Sequence, residues 1–411
     1  MKTTILTNLT LIDGTGSEPF EGAVIVIEGD RIKEVLQGVP SSTPSAADRL
    51  DCRGQFAIPG LIDAHVHVGS TEPSIVGQHR MNFPSYSLLK SLKGMRETLN
   101  QGFTTVRDCG GADPGIRQAL QEGLIPGPRL FVCGRILSQT GGHGDFRLPT
   151  ENHVPVPYPG GVGSGIYDGP DEVRRGVREQ LRQGVDFIKL MAGGGVASPS
   201  DEITNSQYSP EELRVAVFEA ESSGTYVAAH CYADRSIVNC CEAGVRTIEH
   251  GNLMTETGAK AMQKAGACLV PTLVTYEMML RKGKELNLPE FTVRKNVIAL
   301  EKAYEAISIA LKMRIKIGSG SDLLGPMRNN MGQELALQAR VLGPMGALVA
   351  ATKTNAEVLR AEKDLGTVEA GKLADILVVR TNPLDNLSVF DDYTNNISLI
   401  LQGGEVYKSL L

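Results

Sequence analysis

"GLIDAHVHVG", residues 60–69, decides the fold. An apolar run, Leu61-Ile62-Asp63-Ala64, leads into His65 and His67, separated by one valine. In a strand, residues i and i+2 share a face, so the two imidazoles point the same way. A strand that ends on two adjacent imidazoles is a place where a barrel keeps its chemistry, at the C-terminal end.

Working outward, the same texture recurs up to residue 322: a short apolar run, a polar or Gly-rich loop, then a segment with helical period. The runs that read as strands are 60–68, "FTTVRD" (103–108), "PRLFVCG" (128–134), "DFIKLM" (186–191), "YVAAHC" (226–231), "RTIEH" (246–250), "CLVPT" (268–272) and "IKIGSGSD" (315–322). Between them, Val293, Val297, Leu300, Tyr304, Ile307 and Leu311 step by three or four and predict an amphipathic helix over 293–311. Eight βα units with near-continuous apolar strands imply an α/β (β/α)8 TIM-type barrel, placed at 58–362. Residues 1–57 and 363–411 instead alternate like antiparallel strands, with turns at Asp13-Gly14-Thr15-Gly16 and Gly29-Asp30. These two ends are expected to meet as one small β-sandwich. The long loops 138–170, 192–210 and 323–332 are expected to be lids or binding loops.

The bulk composition excludes several classes. Of 411 residues, 41% are hydrophobic and 21% charged, an ordinary balance for a globular chain. A net charge of −6 without a dense basic stretch speaks against nucleic acid and anionic membranes. No apolar run approaches the roughly 18 residues that span a bilayer. The N-terminus, "MKTTILTNLTLIDG", reads as a strand rather than a signal peptide, and a cytoplasmic location is expected. Seven scattered cysteines without C-x-x-C spacing argue against disulfides and a thiolate zinc site.

Taking only the strand ends collects His65, His67, Lys189, His230, His250 and Asp322. Singly, each has an ordinary explanation. A rim histidine is usually hydrogen-bonded, a lysine in "FIKLM" snorkels, and an aspartate in "GSD" caps a turn. Together they would leave a buried ammonium among imidazoles, a difficulty that a metal centre removes.

The motifs "DAHVH", "FIKL", "AAHC", "IEHG" and "GSD" resemble those of the amidohydrolase superfamily over essentially the whole chain. The resemblance implies two divalent metals, most simply zinc, bridged by Lys189 carboxylated by CO2. One metal would take His65, His67, Lys189 and Asp322, and the other Lys189, His230 and His250. "SQTGGHGD" (138–145), "KLMAGGGVAS" (189–198) and "AHCYADRSI" (229–237) resemble the Xaa-Pro dipeptidase-like branch, which includes ochratoxin-hydrolysing carboxypeptidases. That likeness implies hydrolysis of an amide bond beside a C-terminal amino acid, in a dipeptide or N-acyl amino acid. Metal-activated water would attack, with Asp322 as the proton carrier and His143 or Tyr232 steadying the oxyanion and touching the substrate. Arg235 or Arg147 would clamp the substrate carboxylate, and a homo-oligomer is expected. A one-metal relative such as imidazolonepropionase or a deaminase is the nearest alternative, though it needs no bridging lysine. An inactive scaffold relative is the alternative of another class, although such proteins lose ligands that are all present here.

Overall fold

The computed structural model describes residues 2–38, 47–153 and 162–411, so part of the long loop expected at 138–170 (residues 154–161) lies outside the described residues. The chain opens with strands β1 (Thr3–Leu11), β2 (Phe20–Glu28), β3 (Arg31–Gln37) and β4 (Asp48–Pro59). There follow β5 (Leu61–Val66), β6 (Phe103–Asp108), β7 (Arg129–Val132), β8 (Ile136–Ser138) and β9 (Ser164–Ile166). The succession continues with β10 (Ile188–Met191), β11 (Val227–Ala233), β12 (Thr247–Leu253) and β13 (Cys268–Val270), and closes on β14 (Ile376–Val379), β15 (Ile397–Gln402) and β16 (Glu405–Ser409).

Two compact units divide the chain. One comprises Met1–Asp63, Arg96–Thr105 and Asn330–Leu411. Its strands form a single mixed sheet in the order β16-β15-β14-β4-β1-β2-β3, in place of the two-layer sandwich expected from the alternating ends. Alternation is nonetheless what builds it. Ile25 and Ile27 of β2 face a core with Leu6, Ile376 and Leu399, while Val24 and Val26 face the other way with Ile5. One core takes residues from both halves of the sheet because the sheet curls on itself. Ile32 donates its N–H to the Lys372 carbonyl at 2.9 Å, and Ala374 to that of Asp30 at 2.8 Å.

The stretch Gln333–Val358 in this unit is 26 residues of helix with mean hydropathy up to 1.3, long and apolar enough to cross a membrane, which the sequence reading had not anticipated. Its backbone breaks at Gly343 (φ 71°, ψ 165°) before Pro344, and Leu335, Leu337, Leu348 and Ala351 belong to the core.

The other unit comprises Ala64–Met95 and Val106–Asn329. Here β13-β12-β11-β10-β8-β9 form a parallel sheet, and β5-β6-β7 form a second. Helices alternate with the strands: Pro170–Gln183 precedes β10, Pro210–Ser222 precedes β11, Asp234–Ala243 precedes β12 and Glu256–Ala265 precedes β13. Local chemistry sets their ends. Ser209 and Glu212 form a reciprocal capping box with Pro210 in the first turn, and Gly244 stops its helix in the left-handed region at φ 95°.

The expected eighth strand, 315–322, is not a regular strand. It makes one bridge, Leu269 to Ile317, and then follows β5 through Ala64 N–H to Ser319 carbonyl (2.9 Å) and Asp322 N–H to His65 carbonyl (2.8 Å). Gly320 permits that approach, since a Cβ there would lie 2.6 Å from the His65 Cβ.

The helix predicted over 293–311 spans Glu290–Lys312, but its buried face matches the predicted one only in part: Ile307 is buried and Leu300 and Tyr304 are half-buried. Val293, Val297 and Leu311 are 41%, 37% and 47% exposed, and the inward face carries Ala299, Ala303, Ala306, Ile307 and Ala310. Alanines bring the helix backbone close to its neighbours, so small side chains take most of the inside, with Ile307 the one expected apolar residue fully buried there. Ala303→Leu is therefore expected to cost about 1–3 kcal/mol by overpacking, and Val297→Ala to stay within about 0.5 kcal/mol. Denaturant midpoints of the two variants decide between the faces; equal losses would contradict this packing.

Candidate metal centre

All of β5 is buried, and it delivers His65 at 1% and His67 at 6% exposure. His65 is held from behind. Its Nδ1 meets Glu249 Oε2 at 2.7 Å, and Glu249 Oε1 accepts from Arg107 Nη2 at 2.7 Å. Arg107 is fully buried and also donates to the Ala64 carbonyl (2.6 Å) and to Thr247 Oγ1 (3.2 Å). Burial opposes charge on both partners, yet Arg107 holds the Glu249 carboxyl well below its usual range, and Glu249 pushes Arg107 up.

The other imidazoles repeat the device. His67 Nδ1 faces the Gly110 carbonyl at 2.9 Å, and His230 Nε2 faces that of Gly194 at 3.1 Å. His250 Nδ1 meets Thr272 Oγ1 at 2.8 Å and Tyr276 OH at 3.1 Å. Each ring thus has one nitrogen occupied by the protein, the arrangement that orients histidine ligands. Asp322 Oδ1 lies 3.2 Å from His67 Nε2 and 3.6 Å from His65 Nε2. Ligand atoms of His65, His250 and Asp322 fall within 4.8 Å of one another. His65 and His250 rings are 5.0 Å apart, and His250 and His230 rings 4.5 Å. His250 (φ 73°) and Asp322 (φ 50°) both sit in left-handed backbone, strain that clusters at functional sites.

Lys189, on β10, is 1% exposed; its charge acts on His65, His143, His230 and His250, and after Arg107 it also helps to hold the Glu249 carboxyl low. No carboxylate or carbonyl holds its Nζ among the described residues. Imidazoles oriented by protein partners beside the Asp322 carboxylate suit a divalent cation.

The remaining expected residues fall in different places. His143 stacks on His230 with ring centroids 4.3 Å apart. Tyr232 stacks on His250 at 5.3 Å, and its hydroxyl is engaged with Tyr276 OH at 2.8 Å. Arg147 is turned onto Asp145, with Nε 2.8 Å and Nη2 2.5 Å from the carboxylate. Arg235 is exposed and lines a cavity of about 330 Å³ with Gln139, Asp201 and Gln207. Asp234, its neighbour, caps the next helix through Thr255 and Gly258.

Sequence reasoning missed Arg107, Glu249, Thr272 and Tyr276. The signal for the first two was present: an arginine inside "TTVRD" and a glutamate inside "TIEH", opposite charges inside strands that are buried throughout or nearly so.

Burial, and then the Lys189 charge, hold the His65 pKa at about 4 instead of 6.5. Burial likewise lowers His230 and His250 well below that value, aided by the charges of His143 and His65 respectively. His67 alone is raised, its Asp322 hydrogen bond overcoming burial. Burial lowers His143 and His79 as well. Below pH 6.5 the unfolded chain takes up protons that these five native imidazoles refuse, so stability falls as pH drops toward 4, with His67 offsetting part of the loss. The metal-free protein is expected to melt at progressively lower temperature from pH 7 to pH 5. A midpoint that rises over that interval would contradict neutral imidazoles.

Comparison with known proteins agrees with this geometry. The sequence profile of the amidohydrolase family matches residues 56–407. Ochratoxinase of Aspergillus niger is 31% identical over 435 aligned positions, covering 99% of this chain and 87% of that protein. A crystal structure of a prolidase complexed with N-methylphosphonate-L-proline superposes with TM-score 0.95 at 40% identity, covering 99% of this chain and all of that one. A Xaa-Pro dipeptidase with bound methionine in its active site gives TM-score 0.88 at 30% identity, covering 99% and 100%. From these neighbours the fold is that of amidohydrolases, a TIM barrel with an additional sheet domain. The chain belongs to the amidohydrolase family and is a hydrolase of amide bonds.

Proposed function

We propose that this enzyme is a binuclear, metal-dependent hydrolase that cleaves the amide bond before a C-terminal amino acid, in dipeptides or N-acyl amino acids. The observation that supports the reading is the grouping of His65, His250 and Asp322 ligand atoms within 4.8 Å, with His67, His230 and the buried Lys189 around it. His65, His67, Lys189 and Asp322 would hold one cation, and Lys189, His230 and His250 the other. Lys189 would help to hold them as a carbamate: its ammonium first loses a proton, and the free amine then adds to CO2 and releases a second, leaving an anion. Cations held there would supply Lewis acidity and lower the pKa of water. Asp322 accepts the proton at its carboxylate and passes it to the departing amine. His143 and Tyr232 flank the place where the substrate lies. Arg235 takes the substrate carboxylate, because Arg147 is already committed to Asp145. The neighbours' names, a prolidase, a Xaa-Pro dipeptidase and an ochratoxinase, support a substrate of this class.

Protein purified without chelators is expected to carry about two metals per chain. Lys189→Ala should lose most of the metal and nearly all activity. Asp322→Asn should keep metal while kcat falls by about 10² or more. Full activity at one metal per chain, or wild-type turnover in either variant, would contradict the binuclear assignment.

The substrate class is tested with one good dipeptide as free acid and as C-terminal amide. Removing the carboxylate is expected to lower kcat/KM by about 10- to 150-fold, the loss of one charge-assisted contact. In Arg235→Ala that preference should largely disappear. Equal cleavage of acid and amide by the wild type would rule out the exopeptidase reading.

A further inference from the structure

Lys295, on the helix Glu290–Lys312, is 1% exposed, and its ammonium donates to the carbonyls of Gly195 (3.2 Å), Ser198 (2.8 Å) and Asp201. One buried cation thereby pins the loop 195–201. Every neighbour of the Asp201 carboxylate is a donor. Gly195 N–H lies at 3.2 Å, Gln207 Nε2 at 2.8 Å, Lys295 Nζ at 3.7 Å, and the Ser198 hydroxyl completes the set. The orientation of the Gln207 amide is consistent, since its Oε1 accepts the His143 backbone N–H at 2.9 Å.

Ser198 owns a single proton, and Asp201 takes it. Towards His143 Nδ1, 2.8 Å away, the Ser198 oxygen can then only accept, so Nδ1 is the nitrogen that carries hydrogen. In an uncharged imidazole this leaves a lone pair on Nε2. The ring itself lies in a seat made by a missing side chain: a Cβ on Gly195 would lie 2.0 Å from His143 Cε1.

We propose that Lys295, Asp201 and Ser198 are positioning residues that fix His143 as the Nδ1–H tautomer, so that Nε2 meets the substrate as a hydrogen-bond acceptor. The oxyanion role expected of His143 needs a hydrogen on Nε2, which this relay removes. His143 instead receives an N–H or O–H of the substrate. In the class proposed above the leaving part carries a carboxylate, so this donor is the α-amino or α-hydroxyl group of the acyl part. The relay itself stands on hydrogen bonding alone, while its use in recognition rests on the proposed function.

The tautomer is read from long-range 1H–15N spectra of 15N-histidine-labelled protein, with His143→Gln assigning the signal. Nδ1 is expected in the protonated, pyrrole-type range and Nε2 in the unprotonated, pyridine-type range. Ser198→Ala should lose that pattern and Ser198→Thr should restore it, with metal content unchanged in both. Kinetically, a dipeptide should exceed its desamino analogue, and an α-hydroxyacyl amino acid its α-methoxyacyl analogue, by about tenfold or more in kcat/KM. Ser198→Ala should erase most of that discrimination, and Ser198→Thr should keep it. A wild-type spectrum with hydrogen on Nε2, or a tautomer unmoved in Ser198→Ala, overturns the relay. If neither pair is discriminated while amides are hydrolysed, the acceptor role falls. If no amide of the panel is hydrolysed, the proposed function fails, and the spectra still decide the relay.

Discussion

The buried ion pair between Arg107 and Glu249 is the constraint on which the site depends. Two charges away from water are expensive unless every donor and acceptor is matched. Here the guanidinium spends its donors on Glu249, the Ala64 carbonyl and Thr247, and Glu249 gives its other oxygen to His65. The network therefore ties β6, β12 and β5 together at one level and dictates which nitrogen of His65 points inward. Its specificity comes from geometry more than from net energy, because well-packed apolar residues could have filled the same space.

The same economy runs through the other rings. Gly110, Gly194 and Thr272 each occupy one imidazole nitrogen, so the rings are oriented before any ligand arrives. Burial keeps three of these rings neutral, the form in which imidazole binds a metal. The left-handed backbone at His250 and Asp322 is the local cost of aiming both side chains into one volume. Lys189, buried among these rings, has the Glu249 carboxylate as an electrostatic neighbour, and Glu249 is already paired with Arg107.

Much of this was legible in the sequence, for a physical reason. Strand alternation and position at a strand end depend on local order alone, so His65, His67, Lys189, His230, His250 and Asp322 could be collected by reading along the chain. What supports them depends on register between strands far apart in sequence. Glu249 reaches His65 across 184 positions, and Ser198 reaches His143 across 55. Simple alternation would also send Glu249 and His250 to opposite faces, yet both reach the site, with His250 in left-handed backbone at φ 73°. The buried face of Glu290–Lys312 was partly misjudged because hydrophobic period cannot distinguish a stripe of valines from a neighbouring stripe of alanines when close approach is what matters. The curled sheet was read as a sandwich because alternation reports two buried faces, not how many sheets supply them.

The measurement that tests the central claim most directly is the zinc affinity of Glu249→Gln against wild type, by competition with a chelator on folded protein. If the ion pair presets His65, zinc should bind about 10- to 100-fold more weakly in the variant, although no ligand has been removed. Equal affinity in a folded variant would mean that the metal, and not the Arg107–Glu249 pair, orients the ring.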